Sequence, residues 1–363
     1  MKRRKFLTGA AAGGVAAATA TVSAPAISQG VKHLKMVTTW PKNFPALGTG
    51  AERLAQRITT MSGGKLQVKV YAGGELVPPF QSFDAVSQGK AEMCHSASYY
   101  WQGKSPAFNF FAAVPYGFTA DEHYGWMLWG DGLKLYTELC DQFGVVPFMR
   151  ASTGVQMGGW YRKEMTSLED FKGLKFRMPG LGGDVIAKLG ASPVSLPGGQ
   201  IYENLVSGAI DATEWVGPWN DSFLKFYEAA KYYYYPGMHE PGSMLSLGVN
   251  KKFWDGLSKT DQLLVTAAAE VENSVMMSEY NAKNGEALSK LISDQGVKLR
   301  SFSDDIYDSF GEAADEVFEE VKQHSPEARK IHESFLKSRT EVGSWAKISD
   351  QAYVAQRNRV LGL

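Results

Sequence analysis

The segment that decides the fold begins Leu34-Lys35-Met36-Val37-Thr38-Thr39-Trp40-Pro41 and ends Leu66-Gln67-Val68-Lys69-Val70-Tyr71. Both ends alternate with the period of a β-strand. Between them, Leu54, Ile58 and Met61 recur at helical spacing, and a second helix is predicted through residues 80–88. Strand, helix, strand, helix predicts an α/β fold with a largely parallel sheet and helices on its faces.

The same order of elements returns after about residue 145. Strands are predicted at residues 145–149, 173–177, 232–235 and 244–250, and helices at 183–189 and 200–207. The pattern predicts two α/β lobes joined by more than one crossing strand.

The chain is predicted to be mostly helical from Thr260 onward. Ser325-Pro326 is a helix N-cap followed by a first-turn proline, and an apolar stripe follows it at Ile331, Phe335, Val342 and Trp345. Such a stripe needs a surface to pack against. Two interpretations stay open: it packs across the protein's own lobes, or it forms the seam of a dimer.

The N-terminus has the pattern of an export signal. Lys2-Arg3-Arg4-Lys5 is followed by Phe6-Leu7, an Ala/Gly-rich apolar stretch and the small-residue exit Ala24-Pro25-Ala26. The paired arginines match a twin-arginine signal. We expect residues 1–26 to be removed and the mature protein, which carries no other predicted membrane span, to be soluble in the periplasm; a transit peptide is the alternative.

Composition excludes several classes of partner and site. Removing residues 1–26 from the 363 leaves 337 residues, and the 38 basic against 38 acidic side chains become 34 against 38. A mildly acidic chain offers no phosphate-binding surface, so no nucleic-acid partner is expected. Only two cysteines are present, Cys94 and Cys140, which is too few for a disulfide scaffold; whether they pair is left open.

The sequence contains none of the common catalytic signatures. We find no phosphate-binding G-x-x-x-x-G-K, no G-x-S-x-G and no H-E-x-x-H motif. The six histidines are scattered without the spacing of metal ligands. These features favour a binding protein over an enzyme.

Polar side chains at the ends of predicted strands mark a candidate ligand site. Arg177 lies between Phe176 and Met178-Pro179, an unusual setting for a solvated charge, and its planar guanidinium suits a carboxylate. The other candidates are Gln156 before Gly158-Gly159, Glu214 before Trp215, Asn220 just behind, and Glu240 between two Pro/Gly corners. The alternative is that Arg177 pairs internally with Glu214 or Glu240, because buried charges need partners.

At these residues the sequence resembles a known family. The motifs that carry the likeness are the twin-arginine start, Thr38-Thr39-Trp40-Pro41, Tyr71-Ala72-Gly73-Gly74-Glu75-Leu76, Phe176-Arg177-Met178-Pro179, Asp211-Ala212-Thr213-Glu214-Trp215 and Tyr232-Tyr233-Tyr234-Tyr235-Pro236-Gly237. The chain resembles the solute-receptor subunit (DctP type) of tripartite ATP-independent periplasmic (TRAP) transporters. Within that family it is most similar to the branch that binds 2-oxo acids such as pyruvate.

The resemblance implies a two-lobed periplasmic binding protein with a long helix spanning both lobes and further C-terminal helices. Lobe I would comprise residues 27–152 and about 243–282, and lobe II residues 153–242 and about 283–310. Residues 311–363 would form a C-terminal helical segment, which in some relatives makes a homodimer. The partners implied are the small and large membrane subunits of the transporter.

The resemblance also implies roles for individual residues. Arg177 would bind the substrate carboxylate, while Gln156, Asn220 and Tyr100 would hold other substrate oxygens. The side chains of Gln156, Glu214 and Glu240 and the main-chain carbonyl of Trp215 would coordinate a cation that also touches the substrate.

Charge and ligand type narrow the choice of cation. Oxygen ligands suit sodium or calcium rather than zinc. Two glutamates and a substrate carboxylate are balanced by the arginine together with calcium, whereas sodium leaves the site one charge negative. The resembled branch implies sodium, which is the prediction, with calcium as the alternative.

Two further functions remain open on sequence. The ligand could be lactate, a longer 2-oxo acid or an aromatic acid, because many aromatic residues lie near the proposed site. In a different class, the chain could be a secreted metal-dependent enzyme that uses Glu214 and Glu240, or a structural or sensor subunit.

Overall fold

The computed structural model describes residues 30–362, so the predicted export signal at residues 1–26 lies outside the described part. Its strands are β1 (Lys32–Thr38), β2 (Leu66–Tyr71), β3 (Met93–Ser96), β4 (Val145–Ser152), β5 (Gly159–Tyr161), β6 (Lys175–Arg177), β7 (Ser192–Val194), β8 (Ala212–Thr213), β9 (Tyr232–Tyr235), β10 (Met244–Asn250) and β11 (Lys298–Ser301). Its α-helices are α1 (Leu47–Met61), α2 (Ser82–Ser87), α3 (Ala120–Trp129), α4 (Gly132–Asp141), α5 (Gly180–Lys188), α6 (Gly198–Ser207), α7 (Pro218–Phe223), α8 (Lys251–Asp255), α9 (Lys259–Ser293), α10 (Asp304–His324), α11 (Pro326–Ile348) and α12 (Asp350–Leu361).

The strands form two sheets, which confirms the two-lobed α/β prediction. The first has five strands in the order β2-β1-β3-β10-β4. β1 pairs in parallel with β2 and β3, as the opening segment predicts. β10 runs antiparallel to both β3 and β4, so the sheet is mixed rather than largely parallel. β10 is the strand that returns from the second sheet. A chain that leaves a lobe and comes back can enter the sheet of that lobe from the opposite end, which explains the direction of β10.

The second sheet has six strands in the order β11-β9-β5-β8-β6-β7. β6 pairs in parallel with β7 and β8, whereas β5 is antiparallel to β8 and β9. The parallel pairing of β6 with β8 matters for function, because it aligns the ends of two strands that carry charged residues.

Helix α9 is a single helix of 35 residues that contacts both lobes. It packs on α1 and β4 of the first sheet's lobe and on α7 of the second. Buried side chains occur along its length, from Val265 through Met276 and Tyr280 to Leu291. The helix therefore supports both lobes at once.

The C-terminal apolar stripe divides between two environments. Ile331 and Phe335 of α11 are buried, and α11 packs on α3, α4 and α10 of the same chain. Trp345 and Ile348 are 65% and 69% exposed, and α12 has no buried residue. Packing within the chain thus accounts for the first half of the stripe and leaves the second half uncovered.

Several elements were missed on sequence, among them β3, α3 and α4 and the short β7, β11, α7 and α8. β3 is only four residues long and buried on both faces, so it shows no alternation. α3 has apolar residues on all sides and no stripe, and α4 directly follows it.

Across residues 30–362, no helix is long and apolar enough to cross a membrane. Cys94 and Cys140 are both buried with free thiols.

Candidate functional site

Four of the candidate residues occupy strand ends or turns, whereas Asn220 lies in α7 and Tyr100 in a short 3-10 helix. Arg177 is the last residue of β6, and Glu214 directly follows β8. Arg177 stands opposite Thr213 in the parallel ladder, and the Glu214 amide donates to the Arg177 carbonyl at 3.1 Å. Glu240 lies in the turn between β9 and β10, and Gln156 lies between β4 and β5. The main-chain amide of Gln156 donates to the main-chain carbonyl of Glu240 at 3.0 Å, so these two residues are also held side by side.

The Arg177 guanidinium is buried and fully engaged. Its Nη1 donates to Glu214 Oε1, and also to the Glu214 carbonyl at 3.3 Å. Its Nε donates to the Leu196 carbonyl at 3.1 Å and its Nη2 to the Tyr100 hydroxyl at 3.2 Å. The group lies 5.0 Å from the centre of the Trp215 ring, a cation–π contact. The internal Arg177–Glu214 pair left open on sequence is therefore present.

A second buried carboxylate lies beside this pair. Gln156 Nε2 donates to Glu240 Oε2 at 2.7 Å, and His239 Nε2 lies 3.3 Å from Glu214 Oε2. Glu214, His239 and Glu240 each offer a ligand atom, and these atoms lie within 4.8 Å of one another. All three side chains are buried. The turn thus places two carboxylates and an imidazole in one small volume.

Burial and like charge together oppose ionisation of Glu240. Burial, reinforced by the nearby Glu214 carboxylate, raises the pKa of Glu240 to about 7. His239, Arg177 and the Ser243 hydroxyl act in the opposite direction. Burial would lower the pKa of Arg177, but the Glu214 carboxylate outweighs it and the pKa is raised. The site is short of positive charge around Glu240.

A small cavity of about 10 Å³ lies next to these groups. Its walls combine apolar and polar residues, namely Trp40, Leu47, Tyr99, Tyr100, Thr153, Gln156, Trp215, Val216, Ser243 and Leu245. A space of this size holds about one water molecule. The Trp215 ring packs against the start of α6 at Gly198, where a Cβ would lie 2.5 Å from the ring. The cavity is therefore shaped by close packing and, as it stands, is smaller than any organic acid.

The residues fit a hard cation. Gln156 Oε1 is buried and has no hydrogen-bond partner among residues 30–362, and it lies on the side chain that touches Glu240. An amide oxygen and two carboxylates are the ligand types that sodium and calcium prefer. A cation would also relieve the repulsion that raises the pKa of Glu240.

The structure brings most of the predicted residues together, with one exception. Tyr100, Gln156 and Trp215 line one cavity, and Arg177, Glu214 and Glu240 form a cluster behind its wall. Arg177 bonds to Tyr100 and Glu214, and Glu240 bonds to Gln156. Asn220 is buried, but its Nδ2 donates to the Pro45 carbonyl at 3.2 Å and its Oδ1 accepts from the Tyr280 hydroxyl at 2.8 Å. Its amide therefore links the lobes and does not form part of the cavity wall.

Sequence reasoning missed several residues at or near the site. All six histidines were discounted, yet His239 belongs to the carboxylate cluster; its adjacency to Glu240 was the available signal. Ser243 and Thr153 line the cavity, and no sequence pattern distinguished them. Behind Trp40, the His95 ring contacts both the Trp40 indole nitrogen and the Arg150 guanidinium.

Comparison with known proteins places the chain in a family. Residues 36–324 match bacterial extracellular solute-binding protein, family 7. A monocarboxylate 2-oxoacid-binding periplasmic protein from Nostoc sp. (strain PCC 7120) is 40% identical, covering 97% of this chain and 98% of that protein.

Two solved structures are also similar. A TRAP solute-binding protein from Bordetella bronchiseptica RB50 is 34% identical with a TM-score of 0.90, covering 92% of this chain and 98% of that one; it is described as a mixed-occupancy dimer with calcium and picolinate. A TRAP solute-binding protein from Pseudoalteromonas atlantica T6c, with bound sodium and pyruvate, is 39% identical with a TM-score of 0.87, covering 90% and 99%.

The chain belongs to family 7 of the bacterial extracellular solute-binding proteins. It is a solute receptor of the TRAP type, and not an enzyme. The secreted-enzyme alternative is thereby set aside, and the geometry above describes a binding site.

Proposed function

We propose that this receptor binds a small 2-oxo monocarboxylate, of which pyruvate is the type, together with a cation. The observation that carries the proposal is an aromatic-walled cavity whose wall residues contact one buried arginine and a buried glutamate that lies beside a second. A small acid offers few apolar atoms to bury, so its affinity must come from charge and geometry. The relatives named for 2-oxo acids or carrying pyruvate support this substrate class.

Arg177 would bind the substrate carboxylate through two parallel hydrogen bonds. To do so, its Nη1 must release Glu214 Oε1, since that contact occupies the guanidinium. Tyr100 already touches Nη2 and would stay beside the bound acid. Gln156 would hold another substrate oxygen. Asn220 would reach the acid by giving up its bond to Pro45.

The released carboxylates then need a new counter-charge. We propose that Gln156, Glu214, Glu240 and the main-chain carbonyl of Trp215 hold a sodium ion, with calcium as the alternative. The ion would supply the positive charge that lets an anionic substrate approach two glutamates. Similar structures contain sodium in one case and calcium in the other, so both fit this type of site.

The two lobes would close over the bound acid. We propose that residues 27–152 with about 243–282 form lobe I, that 153–242 with about 283–310 form lobe II, and that 311–363 form a C-terminal segment. Tyr100 comes from lobe I and Arg177 from lobe II, so their hydrogen bond crosses the cleft. The Asn220–Pro45 bond crosses it as well. Separating the lobes would open the cavity to the acid.

Lactate or an aromatic acid is the second candidate ligand. The aromatic residues Trp40, Tyr99, Tyr100 and Trp215 line the cavity, and one similar structure contains picolinate. A cavity of about 10 Å³ would have to expand to hold any of these acids.

Export and assembly complete the proposal. Residues 1–26 would direct the protein to the periplasm by the twin-arginine route, where it would deliver the acid to the transporter's two membrane subunits. Replacing Arg3 and Arg4 by lysine should retain precursor in the cytoplasm, and normal export of that variant would refute the route.

The exposed Trp345 and Ile348 support a homodimer through the C-terminal helices. A monomer in analytical ultracentrifugation would contradict the homodimer.

Mass spectrometry of the small molecules released when the purified protein is denatured tests the ligand directly. The expected result is a 2-oxo acid near one equivalent per chain. Recovery of an aromatic acid would favour the second candidate, and recovery of a ligand without a carboxylate would contradict both.

A further inference from the structure

Ser243 carries a buried hydroxyl for which the proposed site has no use. The side chain is 1% exposed, lines the cavity, and makes no hydrogen bond within the described residues. A buried hydroxyl without a partner costs about 1–3 kcal/mol. Such a group at a binding site is explained when a ligand supplies the missing partner.

The backbone holds Ser243 firmly in the cavity wall. Its carbonyl accepts from the Thr153 amide at 3.0 Å, and the next residue, Met244, donates to the Ala112 carbonyl at 2.9 Å. Ser243 thus joins the turn that carries Glu240 to the start of β10. Its position is set by two strands of the first sheet and not by a flexible loop.

The neighbouring groups indicate which part of an acid would meet this hydroxyl. The hydroxyl lies close enough to the Glu240 carboxylate to lower its pKa, but within residues 30–362 its geometry does not meet that of a hydrogen bond. In a 2-oxo acid, the carboxylate and the oxygen on C2 can chelate one hard cation together. With the carboxylate on Arg177, the C2 oxygen would lie on the Glu240 side, where Ser243 stands.

We propose that Ser243 is a specificity-determining residue whose hydroxyl donates a hydrogen bond to the oxygen on C2 of the bound acid. The inference rests on the proposed function. Ser243 would then select acids that carry a C2 oxygen over plain carboxylates, because a buried hydroxyl facing a CH₂ group stays unpaired.

The test compares Ser243→Ala with Ser82→Ala in the full mature protein. Ser82 is a matched control, since it is also 0% exposed and also lacks a hydrogen-bond partner within residues 30–362, but it lies on α2 away from the cavity. Calorimetry measures pyruvate and propionate at a fixed, saturating ion concentration. Ser243→Ala should weaken pyruvate binding about tenfold and leave propionate unchanged, whereas Ser82→Ala should change neither.

Two further readouts separate this role from support of Glu240. Both proteins are titrated with sodium or calcium chloride in the absence of acid, and tryptophan fluorescence reports ion binding. The ion affinity of Ser243→Ala should equal that of wild type. If propionate binds too weakly for its affinities to be compared, this ion titration replaces that comparison. The thermal midpoint of the acid-free variant should not fall, because an unpaired hydroxyl is removed.

Several results would overturn the proposal. These are pyruvate binding by Ser243→Ala within threefold of wild type, equal weakening of pyruvate and propionate, or a parallel loss of ion affinity. A wild-type protein that binds no 2-oxo acid would instead refute the proposed function itself.

Discussion

At the residue scale, the proposed function requires Arg177 to exchange one carboxylate partner for another. The guanidinium and the Glu214 carboxylate are both almost fully buried and bonded to each other. Neither can lose its partner without a large cost, because an unpaired buried charge is strongly unfavourable. Substrate binding on the proposed path replaces one carboxylate by another on the arginine, and the proposed cation would take the place of the arginine beside the displaced Glu214.

Arg177→Ala should abolish acid binding. A charge-assisted contact in a closed site is lost, at a typical cost of about 2–5 kcal/mol, which is roughly 30-fold or more in affinity. Arg177→Lys should also fail, since an ammonium cannot form the planar pair of hydrogen bonds. Calorimetry checks affinity and circular dichroism checks folding, with the exposed Arg162→Ala as control. Binding by Arg177→Ala within threefold of wild type would remove the assignment.

The sequence predicted the charged residues of this site better than the neutral ones. Arg177 and Glu214 were recognisable because charges beside Phe, Met and Trp are uncommon, and Glu240 because Pro and Gly isolate it. Ser243 could not be recognised, since a serine is ordinary in any turn. The Asn220–Tyr280 bond joins residues 60 positions apart, which no local pattern encodes. The binding roles themselves stay predictions.

At the element scale, α9 is held to the first lobe by one buried carboxylate. Glu272 is 0% exposed and accepts from Arg53 at 2.7 and 3.0 Å and from Arg57 at 3.3 Å. Arg150 of β4, also fully buried, approaches it at 4.0 Å. Glu272 therefore balances guanidinium groups from α1 and β4, and Glu279, which accepts from Arg53 at 2.8 Å, adds a second contact between α9 and α1.

Glu272→Gln should destabilise the protein by about 3–5 kcal/mol, because it leaves buried positive charge without a counter-ion. Urea denaturation measures the free energy of unfolding. Glu270→Gln, an exposed change two residues earlier on the same helix, should stay within about 0.5 kcal/mol of wild type. If Glu272→Gln lowered the free energy of unfolding by less than about 1 kcal/mol, Glu272 would not be the main counter-ion of these arginines.

Helix α3 should make stability depend on pH. Burial lowers the pKa of His123 from its ordinary value to about 4. Between pH 6.5 and 4 the unfolded chain therefore binds a proton that the folded protein does not, so the free energy of unfolding falls as the pH falls through this window. His123→Gln should reduce that fall by about 2–3 kcal/mol, and the exposed His33→Gln should not. Identical pH profiles of His123→Gln and wild type would contradict the assignment.

Periodicity predicted the elements that have one buried face. β2 and α1 were read correctly because apolar and polar residues alternate along them with the matching period. β3 and α3 were missed because nearly uniform burial or apolar composition removes that contrast. The prediction of a largely parallel first sheet was only partly right, since the direction of β10 is set by its connection to the other lobe.

At the scale of the whole molecule, α/β lobes could be predicted from the repeated order of strands and helices, but their contacts could not. The small cavity exists only where the lobes meet, through pairs such as Tyr100 with Arg177 and Asn220 with Pro45. These pairs couple closure to the site, because the residue that would bind the acid also bridges the cleft. A ligand that binds the closed form more tightly than the open form shifts the equilibrium toward the closed form, by an amount set by the difference between its two affinities.

Cation dependence of pyruvate binding tests the central claim most directly. Ligand-free mature protein is titrated with pyruvate by calorimetry in buffer stripped of sodium and calcium, and again after either ion is restored. We predict that affinity is lost without the ion and regained with the correct one, that pyruvate tightens the ion by the same factor, and that Glu214→Gln and Glu240→Gln weaken both together. The exposed Glu75→Gln should change neither. Unchanged pyruvate affinity in ion-free buffer would contradict the joint site and leave Arg177 as the sole anchor, and no binding of any 2-oxo acid under either condition would contradict the proposed function.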